Sequence, residues 1–340
     1  MKKVAIVLFN LGGPDNLDAV KPFLRNLFSD PNIISLPKPF RLPLAKFISS
    51  KREETSKDIY RNIGDKSPIL SETEKQSEAL ESLLNKESTG YEFKTFIAMR
   101  YWHPFVNDTA KDVYNYDPDS IILLPLYPQY STTTTFSSIQ AWKEAVKDLK
   151  QIDTKTICCY PAEENFIEAH THLIRKALTK LESKDFRILF SAHGLPISII
   201  KKGDPYQWQV EHSVKHIVSK LEIDEKKYTV CYQSKVGPKK WLEPNIEDEI
   251  IKSGRKKESL IIVPIAFVSE HSETLVELDI EYKELAKKYH VPEYYRVKTL
   301  STEKNFINCL AKLCTYSLAK EESFYSKKYC PNSFCKCFNS

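Results

Sequence analysis

Two pairs of segments repeat along this chain, and together they leave few folds open. AIVLFNLGGP, starting at Ala5, resembles RILFSAHGLP, starting at Arg187; each is an apolar run stopped by a glycine-and-proline turn. IILLPLYPQYSTTT, from Ile121, resembles LIIVPIAFVSEHSET, from Leu260; each carries a proline inside the run and a polar helix start after it. A repeat of this kind implies two similar halves. Strand-like runs lie at 4–10, 93–100, 120–127, 186–192, 228–233 and 260–268. Helical periodicity lies between them, near 15–28, 71–86, 104–116, 135–150, 163–182, 205–221, 244–253, 272–289 and 303–319. Unbroken apolar strands alternating with amphipathic helices predict an α/β fold whose parallel sheets are covered on both faces. The halves divide into domains at 1–150 and 151–320, with a tail at 321–340. By the spacing of the repeats, the first half holds an extra stretch near 29–70, rich in proline, aliphatic, aromatic and basic residues. It reads equally as a lip over a cleft, an apolar-basic surface for a membrane, or an extra helix packed on the sheet.

Chemistry is expected where the second repeat ends. In open α/β sheets it collects just past the carboxyl ends of strands. The run 260–268 breaks there into Glu270, His271, Glu273 and Glu277. As a helix, this segment puts Glu273 and Glu277 one turn apart on one face, with Glu270 a turn earlier. Leu275, Leu278, Tyr282 and Leu285 then face the sheet. A solvated acidic helix start fits the same residues, because acids favour a helix N-terminus. His193 supplies a second group at the end of another strand, where it can titrate near neutrality, ligate a metal or accept a proton. His212 and His216 are four apart on a predicted helix, without an HExxH pattern, and read as solvent-facing. His170 and His172, two apart, cannot share a face.

Several classes lose support. Asn10-Leu-Gly-Gly-Pro14 is not a G-x-G-x-x-G fingerprint, and neither a Walker Gly-Lys-Ser/Thr nor a G-x-S-x-G elbow occurs. A net charge of +5 spread over 340 residues does not suggest a nucleic-acid partner. MKKVAIVLFN enters its turn without a signal-peptide pattern, and no apolar run reaches membrane-spanning length. These features point to the cytoplasm, where the eight cysteines are expected to be mostly reduced thiols.

LFNLGGP, MRYWHP, LYPQYS, SAHGLP, QSKVGPKKWLEP and VPIAFVSEHSETLVELDIEY together resemble the ferrochelatases, from about residue 3 to 316. The resemblance implies two Rossmann-like domains without a nucleotide, and a porphyrin cleft between them. It implies insertion of Fe²⁺ into protoporphyrin IX to make protohaem, the protoporphyrin branch being favoured by the lip and tail. A chelatase for another metal or tetrapyrrole, such as cobalt or coproporphyrin, or a non-catalytic porphyrin or haem binder, is the alternative. It places His193 and Glu273 at the centre as catalytic groups and metal ligands, with His271 and Glu277 as a polar path for protons or iron. It assigns Leu11, Arg100, Tyr101, Tyr127, Trp241 and Phe267 to porphyrin contact, and Ser131 and Gln233 to the same lining. Arg52 and Lys51 in the lip could meet propionates or remain solvated. Glu270 stands where many relatives have Asp, so its carried-over role is open. No cofactor is implied for the chemistry, the iron and porphyrin being substrates. Some ferrochelatases bind a [2Fe–2S] cluster through the tail; here Cys330, Cys335 and Cys337, with Cys158 or Cys159, could supply four thiolates. A reduced tail without a cluster is the other reading. Peripheral contact with the inner face of a membrane through the lip is a further expectation.

Overall fold

The computed structural model describes residues 1–237, 239–320, 324–325 and 329–337. The chain forms two compact units. One comprises Met1–Cys159 with Leu310–Ser326, and the other Tyr160–Cys309 with Lys327–Ser340. The boundary falls later than the expected 150/151, because 153–157 is a strand of the first unit. The 151–320 domain is also interrupted, since the chain returns to the first unit within its last helix.

The first unit is built on β1 (Lys2–Asn10), β2 (Tyr91–Met99), β3 (Ser120–Pro125), β4 (Asp153–Ile157) and β9 (Phe324–Tyr325). They run parallel in the order β2-β1-β3-β4-β9. Its helices are α1 (Val20–Phe28), α2 (Lys38–Arg61), α3 (Ile69–Glu87), α4 (Val106–Tyr116) and α5 (Thr135–Val146). Ala5, Val7 and Phe9 on one face of β1 pack with Val113 of α4 and Trp142 of α5. Val4, Ile6 and Leu8 on the other face are also fully buried. Burial on both faces is why these strands are continuously apolar. The stretch at 29–70 holds a 24-residue helix, α2. Its main partner is α1, so it is an added layer and not a helix laid on the sheet.

The second unit is built on β5 (Phe186–His193), β6 (Tyr228–Gln233), β7 (Ser259–Pro264) and β8 (Tyr294–Arg296). All are parallel, in the order β6-β5-β7-β8. Its helices are α6 (Glu164–Leu178), α7 (Ile197–Ile200), α8 (Tyr206–Leu221), α9 (Ile246–Lys256) and α10 (Tyr282–Lys288). The last helix, α11 (Lys304–Leu318), runs across the division between the units in sequence. Leu189, Ile262 and Cys231 form a core with Ile246 and Ile250 of α9 and with Leu278, Tyr282 and Ala286. The helix expected over 272–289 is divided. Glu273–Glu281 is a π-helix and only Tyr282–Lys288 is α. Leu278 and Tyr282 do face the sheet, as the apolar stripe requires. No helix of the described residues is long and apolar enough to cross a membrane.

Candidate active site

Three neighbouring strands of the second unit, β5, β6 and β7, end side by side and carry the reactive side chains. β5 ends at His193 and pairs with Gln233, the last residue of β6. The next residue, Gly194, donates its N–H to the Gln233 carbonyl at 2.9 Å. A β-carbon at Gly194 would stand 2.9 Å from that same oxygen and 3.3 Å from the Trp241 ring, so only glycine fits. β7 runs on through 265–272 into the π-helix, whose first residue is Glu273.

His193 and Glu273, eighty positions apart, meet there. His193 Nδ1 lies 2.9 Å from Glu273 Oε2. The side chains keep 37% and 24% of their surface exposed, so a substrate can reach them. Burial opposes charge on both, but each stabilises the other's ionised form. The Glu273 carboxyl is held down to about 2 by the imidazolium beside it, and the His193 imidazole is raised above its ordinary value by the carboxylate.

Glu277 lies one turn along the π-helix. Gln233 Nε2 donates to it at 2.8 Å and Ser234 Oγ at 2.7 Å. Ser191 Oγ donates to Gln233 Oε1 at 2.7 Å, which fixes the amide so that its NH₂ faces the carboxylate. Desolvation, then the negative charge of Glu273, push Glu277 up to about 7. Two carboxyls on one helix face therefore divide, one ionised and the other titrating near neutrality. Ser234 adopts φ 62°, the left-handed region, to aim its hydroxyl. It was not assigned a role from sequence; its only signal there is a position just past a strand end.

His271 is 8% exposed, and its Nδ1 has no hydrogen-bond partner among the described residues. Burial lowers its pKa and keeps the imidazole neutral. The Phe267 ring lies 4.6 Å from it. Trp241 stands 6.5 Å from His193, edge to face, its indole N–H tied to the Val236 carbonyl. Trp241 and Phe267 thus flank the two histidines. Glu270 does not join the acidic stripe. It turns to Arg296, whose Nη1 is 2.6 Å from Glu270 Oε1.

In the first unit, Leu11 and Arg100 follow β1 and β2, and Tyr127 follows β3. Arg100 donates from Nη2 to Asp30 Oδ2 at 2.8 Å and from Nε to Ser137 Oγ at 2.7 Å. Tyr101 donates its hydroxyl to the same Asp30 oxygen at 2.8 Å. Asp30 is buried; the Arg100 charge and three hydrogen bonds overcome the desolvation and hold its carboxyl below the usual range. Asp30, the base of this network, was missed because its neighbours in sequence carry no sign of it. Tyr101 is 1% exposed and packs with Val20 and Phe23. Its ring therefore packs in the core of the first unit. Arg100 keeps 23% exposure. Tyr127 is half-buried, and burial raises its hydroxyl's pKa. Ser131 is 1% exposed.

Outside these sites, His212 Nε2 and His216 Nε2 lie 3.3 Å apart on α8, with Trp208 stacked on His212. Among the described residues no group of three or more His, Cys, Asp and Glu side chains is close enough to hold a metal ion.

The ferrochelatase family model matches residues 3–318. The ferrochelatase of Pelagibacter ubique is 51% identical over 99% of this chain and 98% of its own length. That of the Wolbachia of Drosophila simulans is 56% identical over 92% of this chain and 99% of its own. Among solved structures, SirB from Bacillus subtilis with Fe³⁺ has a TM-score of 0.56 at 11% identity, over 94% of this chain and 96% of that one. DR2241 from Deinococcus radiodurans, described as similar to chelatases, has a TM-score of 0.51 at 10% identity, over 95% of this chain and 56% of that one. At such identities the structures speak to the fold alone. The family match and the close relatives go further: this chain belongs to the ferrochelatase family of metal chelatases.

Proposed function

We propose that this enzyme inserts Fe²⁺ into protoporphyrin IX and releases protohaem, the terminal step of haem formation. The observation that carries it is the His193–Glu273 pair at 2.9 Å, partly exposed where a strand end meets a helix start, in a chain of this family. Metallation needs two pyrrole N–H protons to leave while a hydrated cation loses water. Bending the flat macrocycle exposes its nitrogens, and contact energy at its periphery can hold that bend. Trp241 and Phe267 offer flat apolar surface for such contact.

His193 is the proton acceptor in this reading. Glu273 orients the ring through Nδ1, which leaves Nε2 for a proton or for the metal, and raises the imidazole's proton affinity. An arriving Fe²⁺ opposes the imidazolium and lowers that affinity again, so the ring can release one proton and take the next. Glu277, titrating near neutrality, can pass protons outward past Gln233 and Ser234. Imidazole with carboxylate binds Fe²⁺ weakly enough to give it up, as a set of thiolates would not. Anaerobic Fe²⁺ insertion into protoporphyrin, followed by absorbance, tests this. His193→Ala is expected to bind porphyrin and to lose turnover by roughly 10³-fold or more. Near-normal turnover would remove His193 from the chemistry.

Leu36, Phe40, Leu42 and Phe47 are all exposed around the start of α2, beside Lys38 and Lys46. That mixture supports a chain in the cytoplasm that touches the inner face of a membrane. The tail thiols suit iron–sulfur ligation by their chemistry, Cys330, Cys335 and Cys337 needing Cys158 or Cys159 as a fourth. Cys330 and Cys337 are buried, and Gln209 Nε2 donates to Cys330 Sγ at 3.0 Å. Cys335 Sγ instead faces the Lys202 carbonyl at 3.6 Å, so the thiols would have to close around a cluster as it assembles. The visible spectrum of anaerobically purified protein decides between a [2Fe–2S] tail and a reduced one.

A further inference from the structure

The π-helix that carries Glu273 and Glu277 is gripped from outside the reactive cluster by one edge strand. Arg296 ends β8, pairs in register with Ile262 of β7, and keeps 7% of its side chain exposed. Its guanidinium reaches two carboxylates. Nη1 is 2.6 Å from Glu270 Oε1. Nε is 2.9 Å from Asp279 Oδ1, and Nη2 bonds the other oxygen of the same carboxylate. Glu270 lies three residues before Glu273, and Asp279 two residues after Glu277, so the fork brackets both reactive acids. Glu270 adds two further ties: it accepts from Thr274 Oγ1 at 2.6 Å and from the Thr299 N–H at 3.1 Å. Two residues before Arg296, Tyr294 donates its hydroxyl to the Leu278 carbonyl at 2.6 Å.

These contacts answer a physical difficulty. π-Helices are rare, and most are single-turn bulges, because i→i+5 bonding is less favourable than the α pattern. A nine-residue π segment therefore needs support from outside itself. Relaxation to α bonding would rotate each later side chain about the axis. Glu277 would leave Gln233 and Ser234, and Asp279 would leave Arg296. Conversely, a bidentate guanidinium–carboxylate bond fixes both distance and plane, so it resists that rotation.

We infer that Arg296 is a positioning residue for the reaction: through Glu270 and Asp279 it holds the π-helix in register, and so keeps Glu273 against His193 and Glu277 against Ser234. This rests on the function proposed above for those acids.

The test uses Arg296→Gln, the conservative Arg296→Lys, and Asp279→Asn, which removes one arm of the fork and keeps the arginine. Iron insertion gives kcat and the KM for porphyrin, and amide hydrogen exchange by mass spectrometry reads how firmly the amides of 273–281 are held. In Arg296→Gln, kcat is expected to fall about tenfold or more while KM stays within about threefold, because the lost order serves the transition state more than binding. Exchange over 273–281 is expected to rise while the strands of the same unit stay protected. Asp279→Asn should shift both readouts the same way, and Arg296→Lys should restore part of each. Unchanged exchange over 273–281, or raised exchange with kcat intact, overturns the inference. So does protection lost equally across the whole unit, which marks general destabilisation. If Asp279→Asn alone folds, its exchange and kcat decide. A wild type that inserts no iron at all would fell the proposed function, while the exchange comparison would still settle the clamp.

Discussion

At the level of single residues, the informative contrast is between Glu273 and Glu277. They share a helix and a residue type, yet one is held down to about 2 by His193 and the other rises to about 7 under burial and its neighbour's charge. For Glu277 this links to stability. Its folded pKa exceeds the unfolded value of 4.5, so the folded state holds the extra proton, and the stability so conferred is lost as pH rises from about 4.5 through about 7. Glu277→Gln mimics the protonated side chain. It should match wild type near pH 4 and be more stable by about 1–3 kcal/mol at pH 8, as read by urea melts at both pH values. Equal stability at both would mean that Glu277 is not strained by charge. The variant should still turn over slowly, since an amide cannot relay a proton. His193 and Glu273 were legible from sequence because each stands where an apolar run stops. Ser234 and Asp30 were not, because their roles come from a backbone twist and from burial created by distant segments.

At the level of elements, five of the six expected strands appear within two residues of their predicted limits, and the sixth, 260–268, ends early at Pro264. Proline lacks an N–H for the ladder, and the chain turns away there towards the helix. The missed strands have clear causes. DTKTI (β4) is polar at four of five positions, and YYR (β8) is three residues long and joined to a single neighbour. Neither produces an apolar run. The π-helix could not be told from an α-helix by periodicity, since its nine residues make only about two turns, too few apolar repeats to fix the period. What decides it is the grip of Arg296 and Tyr294, which is tertiary. The close approach of Gly194 to the Gln233 carbonyl, just past the last pair of β5 and β6, yields its own expectation. Gly194→Ala puts a methyl group into the Gln233 carbonyl and should cost about 1–3 kcal/mol in a denaturant melt, with weaker activity as Trp241 is displaced. A melt unchanged within about 0.3 kcal/mol would mean that the loop yields freely.

At the level of the whole molecule, the repeat read from sequence corresponds to two parallel sheets, but the chain does not divide cleanly at one point. The first unit takes back the segment from Leu310 to Ser326 before the second resumes at Lys327, which no local pattern announces. Removing the chain beyond residue 309 would therefore strip the first unit of part of α11 and of β9, and not merely trim a tail. The insert carries the other expectation at this scale. Phe40 is 69% exposed and Phe47 64%, on a helix that also presents Lys46. Replacing both with serine should weaken sedimentation with anionic phosphatidylglycerol vesicles by roughly tenfold and leave insertion into detergent-dispersed porphyrin near normal. Undiminished vesicle binding would show that this surface is not what meets lipid.

The reactive groups also sit at or just beyond the tips of β5, β6 and β7, not along their shafts, where most residues are buried. Mutation can therefore remodel the tips while the load of folding stays on side chains it need not touch. Such an arrangement gives a lineage freedom to drift in which ion or ring it prefers without first risking collapse. Directed evolution of this scaffold towards other metals should accordingly gather its successes in the few residues beyond 193, 233 and 264.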